Sequence, residues 1–303
     1  MAEPPAPLRA HEDVALFREA VNFTAAQTRF AARLIEKDYF CSLAVQYLVV
    51  RVPGLVFRGG TCLAKVHLGF YRLSEDLDFL VSTPVEASRG ERSGRAAELK
   101  KAIANVDRDL PTVRVATGLT GVNDSRQYNA VIAYKSLIAE QEETLKIEVA
   151  FREPVLSAVI EAQAWTLLLD PINGVEVVPS FPVPALSREE AMAEKLRAAL
   201  SRREVAIRDF YDVDHAVQRS VLQPDDMAVL HLVRQKLAVL GNEEVDVSEE
   251  RLSALKRQLD AELRPVLRED EFAAFDVDRA FRTVAGIAAA LRFASIPSEL
   301  DSS

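Results

Sequence analysis

Two aspartates, Asp76 and Asp78, stand one residue apart in RLSEDLDFLV (72–81), with Leu77 between them and Phe79 directly after. Alternate side chains of a strand share a face, so the pair projects together while Leu77 and Phe79 point the other way. Two carboxylates about 6–7 Å apart at the margin of a core repel each other. Full solvation, an arginine partner or a divalent cation makes such a pair tolerable. Ser74 lies on the same face by the same period of two. Its hydroxyl either bonds the turn that enters the strand or offers a place where a phosphate would add about −1.5 to −2 charge beside the aspartates.

Upstream, Gly59-Gly60 follows the short apolar run LVF and precedes Thr61 and the periodic residues Leu63, Val66 and Phe70. The chain is expected to turn there from strand into helix, exposing backbone N–H groups. Those amides and the Thr61 hydroxyl suit phosphate oxygens, although the pattern is neither GxxxxGK[ST] nor GxGxxG. Lys65, on the expected helix, either neutralises phosphate charge or pairs with Glu75 or Asp76. A further acid, Glu148, is flanked by Ile147 and Val149 in KIEVAF. It reads as an outward residue of a half-buried strand or as a third carboxylate of the same site. In a later helix Lys195 shares a face with Ala191 and Ala199, beside a buried stripe of Met192, Leu196 and Leu200. Asp209 and Asp212, three residues apart, share a helix face.

Apolar runs at 55–57, 77–81, 131–138, 145–151 and 175–180 read as the strands that must carry these groups. Helical periodicity covers 12–22 and 24–50, a further helix is expected near 91–108, and the pattern is helical again from Leu186, apart from the connection 242–250. PVPALS followed by the capping box Ser187-Arg-Glu-Glu190 marks a boundary. The expected fold is α+β: a mixed β-sheet core flanked by helices over 1–185, with a helical C-terminal lobe over 186–303.

The 303 residues, 49% hydrophobic, suffice for one large core or two domains. A net charge of −9 argues against a surface that coats nucleic acid generally and leaves room for a local patch. Residues 88–114 carry seven Lys or Arg against four Asp or Glu, either a solvated helix face or a track for phosphates through Arg92, Arg95, Lys100 and Lys101. Cys41 and Cys62 show no metal-ligand spacing, so disulfide and structural zinc are not expected. No membrane span or signal-peptide pattern is visible, and a cytoplasmic protein is expected.

The Gly-Gly-Thr turn, the helix and the strand with Asp-x-Asp together resemble the nucleotidyltransferase superfamily related to DNA polymerase β, whose pattern is hG[GS], a spacer, then Dh[DE]h. LIEKDYF (34–40), FRGGTCLAKVHLGFYRLSEDLDFLV (57–81) and EKLRAALSRREVAIRDFYDVDHAV (194–217) resemble, more closely, the AbiEii/AbiGii toxin family, which includes MenT-like toxins of toxin–antitoxin systems. The resemblance implies an enzyme transferring NMP from an NTP to an RNA acceptor, the 3′ end of tRNA foremost, and so blocking translation. Mg²⁺ would be held by Asp76, Asp78 and Glu148. Nucleotide would be held by Gly59, Gly60, Thr61, Lys65 and Ser74, with Lys195 and Asp209 also at the nucleotide. It further implies a cognate antitoxin, and Ser74, where a phosphate beside the aspartates would repel incoming NTP, is the place expected for its action. A nucleotidyltransferase acting on a small-molecule or protein hydroxyl stays open, as does a catalytically silent partner-binding protein.

Overall fold

The computed structural model describes residues 8–239 and 241–293. Two compact units are present, Met1–Ala191 with Val266–Phe272, and Met192–Pro265 with Ala273–Ser303.

The first unit opens with helices α1 (Val14–Thr28) and α2 (Ala32–Arg51). Asp13 caps α1 by accepting from the Leu16 N–H, and Arg29 ends it in the left-handed conformation. Strand β1 (Leu55–Arg58) runs into the short α3 (Gly59–Cys62), which continues as one π-helical turn to His67. Strand β2 (Asp76–Val81) is followed by three short helices, α4 (Arg89–Arg95), α5 (Ala97–Ala104) and α6 (Val106–Asp109). The continuous helix expected near 91–108 is thus broken in three. Strands β3 (Val113–Val122), β4 (Gln127–Lys135), β5 (Glu142–Ala150), β6 (Ile160–Ala164) and β7 (Phe181–Ala185) complete a seven-stranded sheet ordered β3-β4-β5-β2-β1-β7-β6. Two pairs, β2 with β5 and β1 with β7, are parallel and the others antiparallel. The mixed sheet flanked by helices is the expected α+β core.

Three strands carry no apolar run. β3 is an exposed edge rich in Thr and Gly, β6 is short, and β7 holds Pro182 and Pro184. In β7 the prolines take the alternate positions while Phe181, Val183 and Ala185 are buried. The strand expected at 175–180 is instead a turn with one isolated bridge, Leu169 to Glu176. Along β2 and β5, Leu77, Phe79, Leu145, Ile147 and Val149 enter the core. The opposite face carries Asp76 and Asp78 on β2 and Lys146 and Glu148 on β5.

The second unit is helical. It takes in most of α7 (Arg188–Ser201), then α8 (Ile207–Gln218), α9 (Met227–Leu237) and α10 (Glu249–Gln258). After α11 (Glu269–Ala274), α12 (Val277–Phe293) closes it. Phe210 stacks on Phe281, and Asp214 takes a bidentate pair from Arg279 at 3.0 and 2.7 Å. Arg251 is buried and donates to the carbonyls of Ala199 and Arg202, satisfying the C-terminal end of α7. Among the described residues no helix is long and apolar enough to cross a membrane.

Candidate active site

Gly59 is the residue on which the turn depends. Its φ is +76°, and a Cβ there would overlap the Asp78 carboxylate. A Cβ on Gly60 would meet the guanidinium of Arg72 and lie 3.1 Å from Ser74 Oγ. The pair of glycines therefore lets Asp78, Arg72 and Ser74 close on the start of α3. Thr61 donates its hydroxyl to the carbonyl of Asp76 at 2.5 Å and is buried. Expected as a phosphate ligand, Thr61 instead ties α3 to β2. Arg72, 2% exposed, was given no role by the sequence, because an arginine after a tyrosine carries no periodic signal.

The parallel register of β2 on β5 pairs Asp76 with Lys146 and Asp78 with Glu148, so all four share one sheet face. Across β1, Arg58 faces Asp78 and ion-pairs with Glu153 at 3.8 Å. Glu148 Oε1 is ion-paired with Lys146, and its Oε2 accepts from Gln127 Nε2 at 3.2 Å. Glu148's hydrogen bond, aided by the charges of Glu148, Asp76 and Asp78, holds the Lys146 ammonium above the usual lysine range.

Among the described residues no three His, Cys, Asp or Glu side chains are gathered closely enough to hold a metal ion. The donor chemistry nevertheless fits a hard cation. Asp76 and Asp78 are half-buried oxygen donors on one face, with no side chain on Gly59 to crowd Asp78. Glu148 is held off by Lys146 and Gln127.

Behind this face α2 buries three consecutive charges, Glu36, Lys37 and Asp38. Glu36 accepts from Ser136 Oγ and the Leu137 N–H, both at 2.6 Å, and burial still pushes its carboxyl up. Lys37 reaches Glu75 at 2.5 Å, beside Arg33, which grips Glu143 at 2.7 and 2.9 Å. Asp38 takes Lys65 Nζ at 2.6 Å and the Leu167 N–H at 3.2 Å. Lys65 is 1% exposed and also donates to Ser42 Oγ at 2.7 Å. Its expected phosphate contact is therefore corrected: the lysine anchors the turn after α3 to α2, with a partner 27 residues earlier.

The Glu75 network has a pH signature. Burial alone would raise the Glu75 carboxyl, but Lys37 and Arg33 outweigh it and hold it below the ordinary glutamate value of 4.5. A depressed value adds stability that is complete above the ordinary value and is lost as pH falls through the depressed one. Glu75→Gln is thus expected to lower unfolding stability at neutral pH, by a gap that narrows as pH falls below the ordinary glutamate value, as at about pH 3. Denaturant titrations of both proteins at the two pH values measure this, and a gap of equal size at both would refute it.

In the second unit Lys195 Nζ lies 2.8 Å from Asp209 Oδ1 and 2.9 Å from Asp212 Oδ2. Arg202 adds a contact to Asp209 at 3.3 Å. The structure thus gathers Asp76, Asp78, Glu148, Gly59, Gly60 and Ser74 in one unit, and Lys195, Asp209 and Asp212 in the other.

A sequence profile described as "Nucleotidyl transferase AbiEii toxin, Type IV TA system" matches residues 50–285. The chain belongs to the AbiEii nucleotidyltransferase toxin family. The solved structure of MenT4, a nucleotidyltransferase toxin from Mycobacterium tuberculosis, is similar in fold to this AbiEii-family chain, with a TM-score of 0.52 at 19% identity, covering 91% of this chain and 98% of that one. JHP933 from Helicobacter pylori gives 0.49 at 17% identity, covering 86% and 93%. No curated protein matches in sequence.

In this AbiEii-family chain the basic segment 88–114 keeps Arg95, Lys100 and Lys101 exposed, each with a local partner. Arg92 is buried and donates to the Val85 carbonyl, and Arg95 donates to that of Ser82. Lys100 bonds Ser93 and lies over the Tyr128 ring, while Lys101 sits 3.9 Å from Glu98. Local pairing absorbs much of the charge that composition alone displays.

Proposed function

We propose that this AbiEii-family enzyme transfers NMP from an NTP to an RNA acceptor, the 3′ end of tRNA, and thereby blocks translation. The observation that carries the reading is the face on which Asp76, Asp78 and Glu148 stand together against the glycine turn. Asp76 and Asp78 would hold Mg²⁺, which lowers the pKa of an attacking hydroxyl and offsets charge on the phosphates. Gly59 and Gly60 let Asp78, Arg72 and Ser74 close on the turn where the leaving phosphates would lie, and Thr61 fixes the strand beneath them. Oxygen of the acceptor attacks the α-phosphate and pyrophosphate leaves in line. Lys195, oriented by Asp209 and Asp212, supplies positive charge to nucleotide.

Incubation of the protein with Mg²⁺, each labelled NTP and total tRNA tests the proposal. Label is expected in acid-precipitable RNA, and its absence for every NTP would overturn it. A small hydroxylated acceptor is favoured by one observation, the internal bonding of Arg92 and Arg95. Label in acid-soluble product from a cell extract would select that reading.

Ser74, beside Gly60 and two residues before Asp76, is the place where the cognate antitoxin would act by phosphorylation. Ser74→Glu is expected to be folded and at least about 100-fold less active, because added negative charge repels triphosphate, whereas Ser74→Ala retains most activity. A fully active Ser74→Glu protein in the labelling assay would separate this face from the nucleotide.

A further inference from the structure

Lys146 occupies the fourth corner of the carboxylate patch, beside Asp76 across the strands and two residues before Glu148 along one. Its side chain is 51% exposed, so packing does not fix it there. Charge does: the ammonium pairs with Glu148 Oε1, while Gln127 takes Oε2. Both oxygens of the third acid are therefore engaged inside the protein, and the Lys146 charge opposes any cation that would use Glu148. Three carboxylates on one face repel, and a single lysine among them relieves part of that repulsion.

We propose that Lys146 is the exchangeable counter-ion of this patch and sets its affinity for a divalent cation. With Lys146 on Glu148, the nucleotide-free protein binds the cation weakly, through Asp76 and Asp78. A triphosphate draws the flexible ammonium away by charge-assisted hydrogen bonds and frees Glu148 as a further ligand. Cation and nucleotide then strengthen each other's binding, by the same factor in both directions. The proposal rests on the reading that Asp76 and Asp78 hold the cation.

The test is Mn²⁺ binding followed by electron paramagnetic resonance, without nucleotide, in the wild type, Lys146→Met and, as a more polar replacement, Lys146→Gln. Both variants are expected to bind Mn²⁺ about tenfold more tightly than wild type, the effect of removing one unit charge beside the ligands. Adding a non-hydrolysable NTP analogue should tighten Mn²⁺ binding in the wild type by a larger factor than in either variant. In a protein that already carries Glu148→Gln, adding Lys146→Met should change Mn²⁺ affinity by a smaller factor than it does in the wild-type background, since only the charge effect at Asp76 and Asp78 remains. Equal Mn²⁺ affinity in wild type and both variants, with Asp76→Ala weakening it, would overturn the counter-ion role and leave the cation site standing. Binding that Asp76→Ala does not change would overturn both.

Discussion

Asp78→Ala is expected to lower nucleotide transfer by about 1000-fold or more, a loss of about 4 kcal/mol in transition-state stabilisation. Its carboxylate lies at the centre of the patch, against Gly59 on one side and in register with Glu148 on the other. Asp76→Ala should behave alike, since its side chain shares that face. Neither change should harm the fold. Removing one of several neighbouring carboxylates relieves repulsion on the metal-free face and, for Asp78, also gives up its own polar contacts, so both variants are expected to stay folded. Single-turnover labelling and thermal melting, run together with EDTA present in the melts, separate the two effects. Near wild-type turnover in either variant at saturating Mg²⁺ would end the metal assignment.

Gly59→Ala should cost both stability and activity. An alanine at φ +76° pays about 1–2 kcal/mol for the left-handed backbone, and its Cβ overlaps the Asp78 carboxylate as well. The strand must shift or Asp78 must turn away, so transfer is expected to fall about 100-fold or more. The two costs can be told apart. Paired with Asp78→Ala, which removes the carboxylate but keeps the Asp78 Cβ 2.7 Å from the new one, the substitution should keep its backbone penalty and lose only the carboxylate part of the steric one, so its destabilisation measured by denaturant titration shrinks without vanishing. An undiminished cost in the double variant would show that the Asp78 carboxylate does not crowd this position.

The carboxylate face was legible in the sequence because a period of two is a local rule: Asp76, Asp78 and Glu148 each sit opposite buried neighbours. The same rule exposes Lys146, two residues from Glu148, as a member of that face. Thr61 and Lys65 were misread for the opposite reason. Helical spacing says which way a side chain points and nothing of what lies there, and Lys65 meets Asp38 from a helix that precedes β1. Strands β1, β2, β4 and β5 announced themselves by apolar runs. β3 and β7 did not, since an exposed edge needs few apolar residues and proline in a strand argues against it until the neighbouring strands are known.

The three buried charges of α2 also constrain how the protein is made. Glu36, Lys37 and Asp38 cannot enter a core unpaired. Lys37 and Asp38 find charged partners 38 and 27 residues on, at Glu75 and Lys65. Glu36 waits for the Leu137 N–H and the second Asp38 oxygen for the Leu167 N–H, 101 and 129 residues away. Contacts so distant along the chain form late, after large loops have closed. On the ribosome, at about 5–20 residues per second, the interval between Asp38 and Leu167 is on the order of ten seconds. Throughout that interval the nascent chain lacks a seated α2, and for most of it lacks β5. A chain built this way acquires its carboxylate face only once most of its first unit has been synthesised, because β5 and the Leu167 N–H come late in that unit.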